Sequence, residues 1–195
     1  MRTNWGYEVE GDELPPLITV EDFKTATGGV MSSTDEQIEM TLEAVSQAVR
    51  DFCGWHVAPV LACAFTGDGE GRLLALPCMG VQSVDALEVC GRALPASAYQ
   101  WTGAGLVRLS CGSFPREWRA VTVDFTAGYT SAGALGAVVV QMASNALAAA
   151  PGVASEQAGA VRIDYNKTAS GVSGGVALLD RDKSLLAPYR ICEVR

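Results

Sequence analysis

Between Ser33 and Gly54 the apolar residues Ile38, Leu42, Val45, Val49 and Phe52 recur at steps of four, three, four and three. That period places all five on one stripe of a helix, with Glu36, Glu39, Glu43, Gln47, Arg50 and Asp51 facing elsewhere. Ser33 followed by Glu36 reads as a capping box, Asp35 adds negative charge where the helix dipole favours it, and Gly54 supplies a left-handed stop. Burying five such side chains contributes about 1.5 to 3 kcal/mol each before entropy is subtracted, against about 1 kcal/mol for a cap. The stripe therefore has to meet a partner surface.

Upstream, Thr19 is placed to cap a short helix over 19–27 that Gly28 and Gly29 end. Residues 1–17 carry acids, Gly11 and the pair Pro15-Pro16, and are expected to be an extended arm, mobile in isolation. After Gly54 the period shortens to that of strands. Val60 to Thr66, Arg72 to Leu76, Val81 to Val89, Leu106 to Leu109 and Ala120 to Thr126 are runs of strand length divided by turn residues. Their connections are too short for helical crossovers, so the β segment 60–127 is predicted to pair antiparallel. Leu135 to Ala149 returns to helix, rich in alanine and nonpolar nearly all round, which implies burial on several sides and hints that a neighbouring chain covers part of it. Beyond Pro151-Gly152 come an alternating run, Ala160 to Tyr165, a Gly- and Ser-rich stretch from Thr168 to Gly175, and a short apolar pattern of Leu185, Leu186, Tyr189 and Ile191. The predicted fold is α+β: N-terminal helices, a small central antiparallel β segment, a buried Ala-rich helix and an extended C-terminal arm. Its divisions are an arm over 1–17, a core over 18–150 with helices 19–27, 33–53 and 135–149, and a hairpin with the C-terminal arm over 151–195.

Charge narrows the function classes. The net charge is −8, and residues 1–53 hold eleven of the acids against only Arg2, Lys24 and Arg50. Nucleic-acid affinity comes largely from Lys and Arg displacing counterions, so this chain is poorly suited to grip phosphates, though it could surround DNA without holding it. No apolar run reaches membrane-spanning length, and the N-terminus lacks a signal-peptide pattern, which predicts a soluble, unexported protein. The six cysteines show no CxxC pair and no regular spacing, and read as reduced thiols.

Candidate chemistry is sparse. His56 is the one histidine, three residues after Cys53; a nucleophile with its base would need the two side by side in a cleft with an orienting group, and a packed cysteine with a surface histidine is the preferred reading. GDGEG at 67–71 lacks the lysine and the strand-to-helix setting of a phosphate loop and reads as a hairpin turn. The acids of residues 8–13 lack the spacing of a calcium loop. Trp5, Trp55, Trp101 and Trp118 lie in four separate segments, and core or interface packing is preferred over a stacking platform. No catalytic, metal-binding or cofactor-binding residues are assigned, and the chain is not read as an enzyme.

The order of parts carries more information. A capped helix ending in FCGWHV, the LP-x-x-x-V-x-S-V run at Leu76 to Val84, the T-A-G-Y at Thr126 to Tyr129, a nonpolar helix, the S-E-x-x-G-x-V-x-I-x-Y run at Ser155 to Tyr165 and a terminal LLAPYR together resemble the head-to-tail connector proteins of tailed bacteriophages. Two departures stand out: no proline follows Gly128-Tyr129 closely, and the helix after it ends early in Ala-Ala-Ala-Pro-Gly. The resemblance implies an adaptor in the virion neck, assembled in the host cytoplasm. Copies would form a ring, usually of twelve, below the portal, to which tail or head-completion proteins attach and through which DNA passes without tight binding. Val138, Met142 and Leu147 of the nonpolar helix are then expected at the subunit interface. Arg181, Lys183, Leu185, Leu186, Tyr189, Arg190 and Ile191 are expected at the portal, the apolar members as anchors and the bases setting register. Two other classes stay open: a small β-type carbohydrate- or ligand-binding module with its aromatics on one exposed face, and a Cys-His hydrolase with a depressed thiol pKa at Cys53 or Cys111.

The charge distribution predicts weak DNA binding by the free chain at physiological salt, measurable by fluorescence anisotropy. Tight, salt-sensitive binding would overturn the reading of a subunit past which DNA slides.

Overall fold

The computed structural model describes residues 1–29, 33–130, 133–148, 155–158, 161–164 and 178–191. The chain divides into two compact units, one of Met1–Leu14, Cys53–Ser131 and Tyr189–Arg195, the other of Pro15–Phe52 and Ala132–Pro188.

The first unit is built on β1 (Tyr7–Val9), β2 (Leu61–Gly67), β3 (Leu73–Ala75), β4 (Val81–Val89), β5 (Arg92–Ala93), β6 (Tyr99–Trp101), β7 (Leu106–Leu109) and β8 (Val121–Ala127). A five-stranded sheet runs β1-β2-β8-β4-β5 and a three-stranded sheet runs β3-β7-β6, every pairing antiparallel. β8 sits at the middle of the larger sheet because its alternation is strict: Val121, Val123, Phe125 and Ala127 are at most 1% exposed while Asp124 faces out. Its neighbour β4 does not alternate so simply. Two register shifts, between Val81 and Ser83 and between Val84 and Ala86, let Val81, Val84 and Leu87 stand opposite Ala127, Phe125 and Val123 at steps of three.

Two of the sequence runs that carry the family resemblance meet in space. The Gly128 N–H donates to the Gly80 carbonyl at 3.1 Å, joining the T-A-G-Y segment to the L-P-x-x-x-V segment. Gly128 has φ +123°, and a Cβ there would strike the Pro59 carbonyl oxygen, so the close approach of the chain at this corner requires glycine.

Residues 1–17, expected as a mobile arm, instead supply an edge strand. Tyr7 and Val9 are 2% and 4% exposed, and β1 pairs with β2 in the register Tyr7 to Phe65. The apolar–polar–apolar triplet Tyr7-Glu8-Val9 is the strand signal, too short to stand out among the surrounding acids.

The second unit holds α1 (Val20–Ala26), α2 (Asp35–Cys53, all but its last residue), α3 (Gly133–Ala148), the hairpin strands β9 (Ser155–Ala158) and β10 (Val161–Asp164), and α4 (Asp180–Leu186). Thr19 accepts from the Asp22 N–H at the start of α1. The box at the start of α2 lies one residue later than expected: Thr34 Oγ1 accepts from the Gln37 N–H at 3.3 Å and Gln37 Oε1 accepts from the Thr34 N–H at 3.1 Å. The sequence offers two overlapping boxes, Ser33 with Glu36 and Thr34 with Gln37, and the chain uses the second.

Ile38, Leu42, Val45 and Val49 are 0 to 1% exposed, and Phe52 is half-buried. Arg50, expected on the polar side of the helix, is itself 2% exposed, and its guanidinium donates to the Pro15 carbonyl at 2.7 Å. Buried Ser46 accepts from the Leu17 N–H at 2.9 Å. Residues 15–17 form no helix or strand, so their covered backbone groups take partners from α2.

Because Val45 is fully buried at the middle of the stripe, Val45→Asp places a carboxylate in this core at a cost of several kcal/mol. Circular dichroism should show loss of the cooperative melt; an unchanged melting curve would mean that the stripe is not core.

Candidate assembly surfaces

Cys53 is packed as expected, but His56, expected at the surface, is packed as well. His56 is fully buried, with Nδ1 2.7 Å from the Tyr7 hydroxyl and Nε2 3.0 Å from the Ala127 carbonyl. A carbonyl only accepts, so the ring proton sits on Nε2 and the Tyr7 hydroxyl donates to Nδ1. That hydroxyl also accepts the His56 backbone N–H at 3.0 Å. Both ring nitrogens are engaged, which leaves none to serve as base for a thiol. Burial pushes the Cys53 thiol up to about 12, with the Arg190 charge opposing it, and burial likewise raises Cys63 to about 12 and Cys78 further. This is the reverse of the depression a Cys53 nucleophile needs. Among the described residues no group of three or more His, Cys, Asp or Glu could hold a metal ion.

Trp55 is fully buried and its indole N–H donates to the Tyr189 carbonyl at 2.7 Å. Tyr129 stacks edge-on against both Trp55 and Tyr189, at 5.6 and 5.7 Å between ring centroids. The Ile191 N–H donates to the Cys53 carbonyl at 2.9 Å. These contacts bear on the residues expected at the portal. Tyr189 and Ile191 are tied by their backbones to their own unit, and Leu186 is fully buried in the other. Leu185 is 49% exposed, and Arg181, Lys183 and Arg190 are exposed. Asp182, 3% exposed, accepts from the Leu179 N–H and so caps α4, which sequence reading missed because leucine is a poor cap. The segment expected to order on a partner therefore has folded content within the chain, and of the residues expected at the portal only Leu185 and the bases are exposed. The Gly- and Ser-rich stretch from Thr168 to Gly175 lies outside the described residues.

For the expected subunit contact, Leu135, Val138, Val139, Met142 and Ala143 of α3 follow the i, i+3, i+4, i+7, i+8 spacing and are 0 to 3% exposed. Val138 and Met142 are thus buried within the chain, whereas Leu147 is half-buried. The composition of α3 was uniform enough to hide which side faces inward; on the other side Ala137 and Gln141 are exposed.

The tryptophans divide sharply. Trp118 is 90% exposed and Trp101 39%. The loop carrying Trp118 is fixed at its base: Phe114, 2% exposed, donates its N–H to the Gly71 carbonyl, Arg116 pairs with Glu70 at 2.9 Å, and the Arg119 N–H donates to Asp68 at 2.6 Å. Trp118 borders an open hollow of about 430 Å³ lined also by Asp68, Gly69, Glu70, Arg116 and Glu117. A rigidly mounted, exposed indole is a candidate anchor for a protein partner.

No family model and no curated protein matches this chain. Its fold is similar to that of solved chains. One is in the neck of an empty gene transfer agent particle computed with C6 symmetry, at TM-score 0.63, 16% identity and 97% coverage of both chains. A second is in the neck of the native particle computed with C12 symmetry, at TM-score 0.61, 15% identity, 96% of this chain and 97% of that chain. A third is in the virion of the native particle, at TM-score 0.60, 16% identity and 97% of both chains.

Alkylation of the native protein at pH 8 should modify Cys90 and Cys111, which are exposed, and spare Cys53, Cys63 and Cys78 until the chain is unfolded. Peptide mass spectrometry reads the outcome; fast labelling of native Cys53 would revive a thiol nucleophile.

Proposed function

We propose that this chain is a structural head-to-tail connector subunit, which forms a ring below the portal of a tailed phage or phage-like particle and lets DNA pass through its centre. The observation that carries this reading is the match in fold over 97% of both chains to a neck subunit. A shared fold alone does not fix function. Here it coincides with the order of motifs along the sequence, with an acidic balance unsuited to holding DNA, and with the histidine and three of the thiols, Cys53, Cys63 and Cys78, committed to packing. The subunit acts by presenting surfaces: one pair for its neighbours in the ring, one for the portal and one for the tail or head-completion protein. The portal-facing residues are Arg181, Lys183 and Leu185 of one unit and Arg190 of the other, whereas Leu186, Tyr189 and Ile191 are taken up within the chain. The part of the subunit contact given to α3 falls to Leu147 and the outer side of the helix.

Electron microscopy of the chain, alone and mixed with portal rings, tests this. The expected result is a ring coaxial with the portal, and failure to form a ring in either condition would overturn the reading. Replacing Arg181, Lys183 and Leu185 together by Glu should abolish portal binding without moving the melting temperature, since all three are surface residues.

A further inference from the structure

The three-stranded sheet leaves one face uncovered. Leu73 stands opposite Arg108, which stands opposite Gln100, and Ala75 stands opposite Leu106; all five share the outer face. The other face carries Leu74 and Val107, 4% and 0% exposed. On the outer face Leu73 is 50% exposed and Leu106 36%, and the small Ala75, opposite Leu106 and two residues along from Leu73, completes an exposed apolar patch. Arg108 stands beside it, exposed and without an ion-pair partner among the described residues.

The opposite chemistry occurs on the solvent side of α2. Met40 is 65% exposed, a long flexible thioether at the surface of a helix whose buried stripe is complete without it. Glu36, four residues before it, and Glu43, three after, lie above and below it on the same face. Neither acid has an ion-pair partner among the described residues. One surface is thus an apolar knob between two exposed carboxylates, and the other an exposed apolar patch beside an exposed guanidinium.

We infer that these two surfaces meet in the ring contact, beside the share given to α3: the Glu36–Met40–Glu43 stripe of one copy docks on the Leu73–Ala75–Leu106 face of the next, with Arg108 reaching its acids. The inference rests on the connector reading and names the surfaces that close its ring. A head-to-tail contact needs two different, mutually complementary faces on each subunit. Neither surface is complementary to itself, because α2 against α2 would oppose four carboxylates and sheet against sheet would oppose two arginines. The unlike pairing relieves both repulsions, covers Met40, Leu73 and Leu106 together, and gives the planar Arg108 fork carboxylates to bind.

The test uses charge reversal on full-length chains, read by mass photometry and by electron microscopy with portal rings. Arg108→Glu alone and Glu43→Arg with Glu36→Arg should each abolish ring formation while leaving the melt unchanged. Mixing the two variant proteins should restore rings. One junction then pairs the acid-bearing sheet of the first variant with the arginine-bearing helix of the second, and the next junction is wild type. Met40→Lys, at a surface position, should abolish rings by removing the knob. If the single variants still form rings while the wild type does, the contact is elsewhere and the connector reading stands. Rings lost in the variants but not regained on mixing would also refute the pairing. Should the wild type form no ring alone or on the portal, the connector reading falls and this contact with it.

Discussion

The buried imidazole of His56 is the interaction on which the β unit depends. Its two nitrogens and its backbone N–H engage Tyr7 from the N-terminal strand and Ala127 from the end of β8. Trp55, its neighbour in sequence, holds the Tyr189 carbonyl. Three stretches far apart in the chain are therefore joined through two adjacent residues. The polar groups around the imidazole are buried, so an unmade bond there leaves an orphan costing about 1 to 3 kcal/mol. That asymmetry explains why the network specifies a single arrangement: a slip of β1 by one residue would carry the Tyr7 hydroxyl to the wrong face of the sheet as well as exposing an aromatic ring.

The helical unit solves a related problem with less regular material. Residues 15–17 begin with two prolines, which have no N–H to donate, and they lie in no helix or strand. Arg50 and Ser46 of α2 answer them, at the cost of burying a guanidinium. Such a group is expensive to bury alone and tolerable when its donors are met. The polar positions that broke the expected division of α2 into an inner and an outer side are therefore those that fix the N-terminal segment.

Most of the fold was legible where the pattern was long. The α+β class, the capped helix, five of the eight strands of the β unit and their antiparallel pairing follow from period and turn residues alone. What escaped was short or set by distant partners. β1, β5 and β6 have three residues or fewer and sit in no longer apolar run, whereas β3, equally short, lies inside the five-residue run Arg72 to Leu76 between turn residues. The inward steps of three in β4 come from bulges that only its partner reveals. At the candidate surfaces, the sequence identified the residues of the C-terminal pattern but could not tell that Leu186 is taken up inside the chain while Leu185 is not. Nor could it rank four tryptophans, because exposure of Trp118 depends on Phe114 anchoring its loop beside Gly71.

Charge has a sharper part in this protein than its ion pairs suggest. The described pairs, Lys24 with Asp35, Arg116 with Glu70 and Lys183 with Asp180, are all between largely exposed side chains and contribute little to stability. The excess of acid lies instead in residues 1–53, and along the outer side of α2 Glu36 and Glu43 have no ion-pair partner among the described residues. An uncompensated surface of one sign disfavours contact with its own kind at distances up to a Debye length, about 8 Å at physiological salt, and is drawn to the opposite sign within it. In a population of identical subunits this works as selection among ways of meeting. Acid-to-acid encounters are suppressed and acid-to-base encounters are steered, so in the ring proposed for these chains the distribution of charge would favour one direction before a single apolar contact is made.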